Sequence, residues 1–181
     1  MDRLRRAAIL TRLIEELRTR GSWCGETHVQ KATVFLQDLL KVPLGLDFIL
    51  YKHGPFSFDL RDELTGYRAD DLVSLESQWP YGARIRPTDR ADYIQGLFSK
   101  TVAQYKDRVA FVAEKLGHKG VAELERVATA LFVTGRLGSG ASTRERAQEL
   151  TRLKPHVSLE DALAAVDEVD GIRGEARKYL Q

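Results

Sequence analysis

Apolar residues at helical spacing fill most of this chain and limit the folds open to it. The longest such run covers residues 88–117, where apolar side chains recur at alternating steps of three and four. That spacing predicts one uninterrupted helix, about 45 Å long at 1.5 Å per residue. The same pattern predicts shorter helices at 3–19, from Thr27 to Pro43, and at 58–67, 121–135, 143–153, 159–169 and 172–180.

Three of these helices begin with residues that are typical of helix caps. Thr27 and Gln30 have the spacing of a capping box, so we expect Thr27 to be the N-cap of the second helix. Ser57 is expected to cap the third helix. Ser158, followed three residues later by Asp161, predicts a cap for the helix at 159.

Short segments between the helices have the features of strands. Residues 48–51 are an apolar run bounded by Gly45 and by Gly54 and Pro55, which predicts a short buried strand or an extended segment. Residues 72–76 and 81–86 alternate between apolar and polar side chains on either side of a turn-like sequence, which predicts a β-hairpin.

The predicted order of elements in the first half is helix, helix, strand, helix and hairpin. This order is typical of a winged-helix domain, in which a two-stranded wing follows helix-turn-helix elements. We therefore predict an α+β fold that is mostly α, with a winged-helix-like half at 1–87. A long helix would join it to a helical half at 88–181.

Composition narrows the classes of function. The 181 residues include 28 Lys and Arg and 26 Asp and Glu, a net charge of +2. A dedicated DNA-binding domain usually has a clear basic excess, because neutralised phosphates supply much of its affinity, and a DNA mimic should be strongly acidic. The charge of the whole chain is neither clearly basic nor strongly acidic. A single cysteine and the lack of a membrane-length apolar run predict a protein of the cytoplasm.

The sequence contains no recognisable catalytic or metal-binding pattern. Cys24 and His28 are four residues apart, but neither H-E-x-x-H nor C-x-x-C occurs, so we expect no metal site. Cys24 could be a nucleophile, although a small buried residue beside Trp23 is the more ordinary reason for a single cysteine. The glycines at 135–140 follow a helix and not a strand, which argues against a phosphate loop. We expect no cofactor and no enzymatic activity.

Basic, aromatic and acidic residues gather on the predicted wing and on the turn and helix that precede it. Arginines on a wing could follow a nucleic-acid backbone. Exposed Trp, Tyr and Arg are equally typical of a protein-binding hot spot, and the near-neutral charge favours a protein partner. The candidate partner-binding residues are Lys52, His53, Phe56, Asp59, Arg61, Asp62, Trp79, Arg84 and Arg86.

Several segments resemble the YwgA-like and SocA-like (Panacea) antitoxin families. Residues 27–31, followed by Phe35 and Leu36, resemble the T-x-x-Q-K…Y/F-L opening of these proteins. Residues 48–57 are close to their Y-x-x-G-P-F/V-S signature. Residues 58–64 continue in the manner of YwgA-like members, and 154–162 resemble their C-terminal end.

The resemblance implies an accessory protein of bacterial conflict systems. SocA-like antitoxins bind a toxin and can pass it to a protease. A YwgA-like domain is the C-terminal, toxin-binding part of the DarG antitoxin, whose separate macrodomain removes ADP-ribose. The implied function is therefore a non-catalytic domain that neutralises a cognate toxin, such as a DarT-like ADP-ribosyltransferase that modifies DNA. The chain could be free-standing or the C-terminal part of a longer antitoxin.

The implied toxin also suggests how this chain would bind. Covering a nucleic-acid-binding or active site would need a local acidic patch, because the whole chain is not acidic. The first candidates are Asp59, Asp62, Glu63, Asp70 and Asp71. The alternative function is a winged-helix protein that binds nucleic acid, for example a transcriptional autoregulator.

Overall fold

The fold is described from a computed structural model that covers residues 1–138 and 140–180, without the side chains of residues 78 and 81. Within this part, eight α-helices and four short strands give an α+β fold that is mostly α, as predicted. In chain order the elements are α1 (Arg3–Thr19), α2 (Glu26–Val34), β1 (Ile49–Tyr51), β2 (Gly54–Phe56), α3 (Phe58–Ala69), β3 (Val73–Gln78), β4 (Tyr81–Pro87), α4 (Asp89–Leu97), α5 (Ser99–Leu116), α6 (Val121–Leu137), α7 (Thr143–Leu153) and α8 (Leu159–Ala176).

The predicted capping box of the second helix was wrong. Gly25 is the N-cap of α2 and supplies no side-chain cap, while Thr27 lies inside the first turn. The Gln30 side chain is fully buried and bonds to the backbone of Ser57, so it is not available to the cap. A π-helical turn, Phe35–Leu39, then closes the helix before the predicted end.

The predicted long helix at 88–117 was also wrong in one respect, because it is divided into α4 and α5. The break is at Phe98, whose φ of −109° and ψ of 33° depart from helical values. Backbone hydrogen bonds from Phe98 to Ile94 and from Val102 to Phe98 span the break. The apolar spacing therefore continues through it, and α4 and α5 both pack on α1.

The predicted strand at 48–51 forms, but the prediction that it is buried was wrong, and its partner strand was not predicted. Ile49 and Tyr51 are exposed, and β1 pairs with β2 in an antiparallel hairpin. Gly54 and Pro55, which were expected to end the strand, belong to β2. Ser57 follows β2 and caps α3 as predicted, since its hydroxyl accepts a hydrogen bond from the Leu60 amide at 3.2 Å.

The second hairpin, β3–β4, is confirmed. Leu75 lies opposite Ile85 in its register, and the Ile85 amide donates to the carbonyl of Cys24 at 2.8 Å. This bond ties the hairpin to the loop before α2.

The last described segment of the chain, from residue 159 onward, contains one α-helix where two were predicted. The segments at 159–169 and 172–180 join as α8, which Ser158 caps as expected, and a 3-10 turn, Arg177–Tyr179, follows. Gly171 and Gly174 lie inside α8, where each glycine lowers helix stability by about 1 kcal/mol without ending the helix.

One cluster of buried apolar side chains extends from α1 to α8. The central α6 contacts α2, α7, α8 and the β1–β2 hairpin, so it lies beneath that hairpin. Within the described residues, no helix combines the length and the apolar character that crossing a membrane requires.

Candidate functional site

Three aromatic side chains form an exposed surface on the β1–β2 hairpin and the start of α3, which we call the aromatic platform. Its residues are Tyr51, Phe56 and Phe58, whose ring centroids lie 5.1 to 5.7 Å apart in tilted or edge-to-face pairs. Tyr51 is 52% exposed and Phe58 39% exposed. These distances are those of favourable aromatic pairs, so the rings form one continuous apolar patch that faces solvent.

A cation lies at the edge of the aromatic platform. The guanidinium of Arg61 lies 5.0 Å from the centre of the Phe58 ring, within the range of a cation–π contact. Phe58 and Arg61 are three residues apart on α3, which places them on the same face of the helix. Asp62 is close to Arg61, with 3.5 Å between its carboxylate and the Arg61 Nε.

Gln30 holds the end of the hairpin from inside the protein. Its Nε2 donates to the Ser57 carbonyl at 2.9 Å, and its Oε1 accepts from the Ser57 amide at 2.9 Å. Both residues are fully buried. A two-point bond of this kind fixes the backbone between Phe56 and Phe58, and with it the direction of both rings.

Two buried lysines hold the rest of the hairpin by its carbonyl groups. Lys31, 1% exposed, donates to the Pro55 carbonyl at 3.0 Å. Lys154 donates to the carbonyls of Tyr51 at 3.0 Å and Lys52 at 2.6 Å, and its Nζ lies 3.2 Å from a carboxylate oxygen of Glu125. Burial lowers the pKa of Lys31 to about 8, and the Glu125 carboxylate opposes this shift only in part.

Gly54 allows the turn of the hairpin to lie directly against α6. Its φ is +85°, and a Cβ at this position would lie 3.0 Å from the Thr129 hydroxyl oxygen and 3.4 Å from the Glu125 carbonyl oxygen. Beside it, His53 is exposed and its Nδ1 lies 3.4 Å from a Glu125 carboxylate oxygen. The Gln30-Lys31 and Gly54-Pro55 pairs of the family-like motifs therefore support the platform and form little of its surface.

The structure brings part of the predicted set of site residues together. Phe56 belongs to the aromatic platform, and Arg61 lies at its edge. Lys52 and His53 form the exposed turn of the same hairpin, and Asp59 and Asp62 are exposed on α3.

Sequence reasoning missed Tyr51 and Phe58, which supply much of the exposed aromatic surface. A usable signal was present, because large apolar residues two positions apart lie on one face of an extended segment. Ile49 and Tyr51 show this spacing before the Gly-Pro turn, and Phe56 and Phe58 show it after the turn.

The remaining predicted residues belong to the other hairpin. Trp79, at the tip of β3–β4, is 92% exposed. Arg84 donates to the Trp23 carbonyl at 3.1 Å, and its guanidinium lies 5.0 Å from the centre of the Trp23 ring. Arg86 pairs with Glu76 at 3.2 Å. Both arginines thus have partners within the chain.

The acidic stretch of α3 is partly engaged in internal ion pairs. Glu63 accepts from the Arg6 Nε at 2.9 Å and from the Tyr67 hydroxyl, and Asp70 pairs with Arg3 at 2.6 Å. Asp59 and Asp62, together with Asp71 beyond the helix end, remain exposed.

Cys24 lies in an environment that disfavours a nucleophile. The side chain is fully buried, and burial raises the pKa of its thiol to about 12, so the thiolate is scarce at neutral pH. Within the described residues, His, Cys, Asp and Glu form no group of three or more that could hold a metal ion. No protein-family model and no curated protein matches this chain.

Proposed function

We propose that this chain is a non-enzymatic binding module of the antitoxin type. It binds a cognate toxin protein, such as a DNA-modifying ADP-ribosyltransferase, and masks the toxin's nucleic-acid-binding or active site. The single observation that carries the proposal is the aromatic platform, an exposed three-ring surface with an arginine at its edge. The family resemblance supplies the type of partner.

The support beneath the platform makes it suited to binding a protein. Aromatic residues and arginine are enriched at protein interfaces and in their hot spots. Aromatic rings in particular bury a large area at a small cost in conformational entropy. Gln30, Lys31 and Lys154 fix the backbone on which the rings stand. Binding a partner therefore costs little further conformational entropy, and a pre-organised surface binds more tightly than a mobile one.

In this proposal the N-terminal half is winged-helix-like, and the wing has no role in nucleic-acid binding. Its support is the order of α1, α2, α3 and the β3–β4 hairpin. Arg84 and Arg86, the wing residues that would contact phosphates, bond instead to the Trp23 carbonyl and to Glu76. This arrangement favours a protein partner.

The test is neutralisation of the toxin encoded beside this gene. The wild-type chain should rescue the growth of cells that express the toxin and should be recovered with it in a pull-down. With purified proteins, inhibition of the toxin should saturate near equal molar amounts, because a binding module acts stoichiometrically. Failure of both rescue and recovery would contradict the proposal, and so would inhibition by a small catalytic amount of the chain.

A further inference from the structure

An open groove lies between α3 and the β3–β4 hairpin, next to the aromatic platform. Its volume is about 490 Å³. One wall is a single face of α3, which contributes Arg61, Leu64 and Arg68 at helical spacing. The opposite wall is one face of the hairpin, which contributes Val73 and Leu75.

The floor of this groove is apolar, and solvent reaches part of it. Among its apolar lining residues, Leu64 and Val73 are buried, whereas Leu75 is 42% exposed and Val121 is 47% exposed. An apolar side chain of another molecule would bury this exposed surface, at roughly 25 cal/mol per Å² of apolar area removed from water.

The rim of the groove carries positive charge. Arg68 is exposed and makes no ion pair with the residues that the structure describes, and Arg61 approaches its Asp62 neighbour only at 3.5 Å. The N-terminus of α2, which is the positive end of its helix dipole, also lines the groove, and Gly25 provides no side-chain cap there. The acidic Glu26 offsets one of these charges.

We propose that this groove binds an acidic segment of the partner protein that lies outside the nucleic-acid-binding or active site masked by the module. An apolar side chain of the segment occupies the trough beside Leu75 and Val121, and carboxylates on either side pair with Arg61 and Arg68. The inference rests on the proposed function, for which it names the docking surface and the chemistry of the partner. Arg61 belongs both to the groove and to the edge of the platform, so a single partner can cover the two surfaces together.

The two tryptophans of the chain provide a direct readout of this proposal. Trp23 lines the groove, and its indole N–H donates to the Gly82 carbonyl at 3.2 Å, whereas Trp79 lies at the exposed tip of the hairpin. Short overlapping peptides that span the neighbouring toxin are titrated while the two indole N–H signals are followed by NMR. Peptides with carboxylates beside an apolar residue should shift the Trp23 signal and leave the Trp79 signal in place.

Matched variants test the roles of charge and apolar contact. Arg68→Glu should weaken binding of such a peptide, and of the whole toxin, by about tenfold or more. Arg144→Glu makes the same change of charge at an exposed position on α7, away from the groove-lining residues, and should leave binding unchanged. Leu75→Thr should weaken binding while keeping a residue that favours strands.

The outcomes separate this inference from the proposed function. If the toxin binds the wild-type chain and Arg68→Glu equally well, and no peptide shifts the Trp23 signal, the groove proposal is wrong and the proposed function stands. If the toxin binds in neither form, both are wrong. A single-stranded oligonucleotide that shifts the Trp23 signal where every peptide fails would overturn the choice of a protein segment.

Discussion

Replacing Gln30 should show how strongly the buried support holds the hairpin. Gln30→Leu keeps most of the side-chain volume and removes both bonds to Ser57. The Ser57 carbonyl still accepts from the Arg61 amide at 3.2 Å, but the Ser57 amide keeps no acceptor among the described residues. In the variant the Ser57 carbonyl thus loses one of its two hydrogen bonds, and the buried Ser57 amide is left without a partner.

The expected loss of stability follows from these two terms. A typical hydrogen bond contributes about 0.5–1.5 kcal/mol net, and a buried donor without a partner costs about 1–3 kcal/mol. Gln30→Leu should therefore lower the free energy of unfolding by about 2–4 kcal/mol. This is a large part of the ~5–15 kcal/mol by which most domains are stable.

Gln37 provides a matched control, because it makes the same two-point bond to the backbone of Leu46, at 2.8 and 2.9 Å. The Gln37 side chain is partly exposed whereas that of Gln30 is fully buried, so we expect Gln37→Leu to lower the free energy of unfolding by less, about 1 kcal/mol. Chemical denaturation of both variants, followed by circular dichroism, gives the comparison. Equal losses would refute the argument that burial makes the Gln30 bonds matter more.

Three further predictions concern the same interior. Gly54→Ala should destabilise the fold by about 1 kcal/mol more than Gly21→Ala in thermal unfolding. Both glycines have a φ above +80°, but only at Gly54 would the new Cβ lie 3.0 Å from the Thr129 hydroxyl oxygen. Equal effects of the two substitutions would contradict this. Burial lowers the pKa of Lys31 from 10.5 to about 8. Between these two pH values the unfolded chain binds a proton that the folded chain lacks, so the folded state becomes more stable as the pH rises. The free energy of unfolding of wild type should increase by up to about 3 kcal/mol over this range. Lys31→Met should lack this gain, and parallel pH profiles of the two proteins would refute the assignment. Cys24 should react with a thiol reagent only as fast as the protein opens, since burial raises its pKa to about 12; rapid labelling of the native protein would show otherwise.

Local signals in the sequence predicted the elements that depend on local chemistry. The Ser57 and Ser158 caps and the β3–β4 hairpin are confirmed because each depends on neighbouring residues. The break at Phe98 could not be predicted, since the apolar period passes through it unchanged. The β2 strand was missed because Gly54 and Pro55 usually end a strand.

The candidate site depended on contacts that sequence spacing does not reveal. Gln30 has the position of a capping residue, but its partner Ser57 is 27 residues away in the chain. Lys154 reaches the Tyr51 carbonyl across 103 residues. The exposure of Tyr51 depends on how β1 pairs with β2 and on how the hairpin lies on α6, so only the folded chain shows the three rings together.

The most direct test of the account is the affinity of the proposed partner toxin for a chain without the exposed rings. Tyr51→Ala combined with Phe58→Ala removes two exposed side chains, and Tyr93→Ala, at an exposed site on α4, is the control. Isothermal titration calorimetry should show that the double variant binds about 100-fold more weakly than wild type, while the control binds as wild type does. Wild-type affinity in the double variant, with its fold intact by circular dichroism, would contradict the claim that the aromatic platform binds the partner.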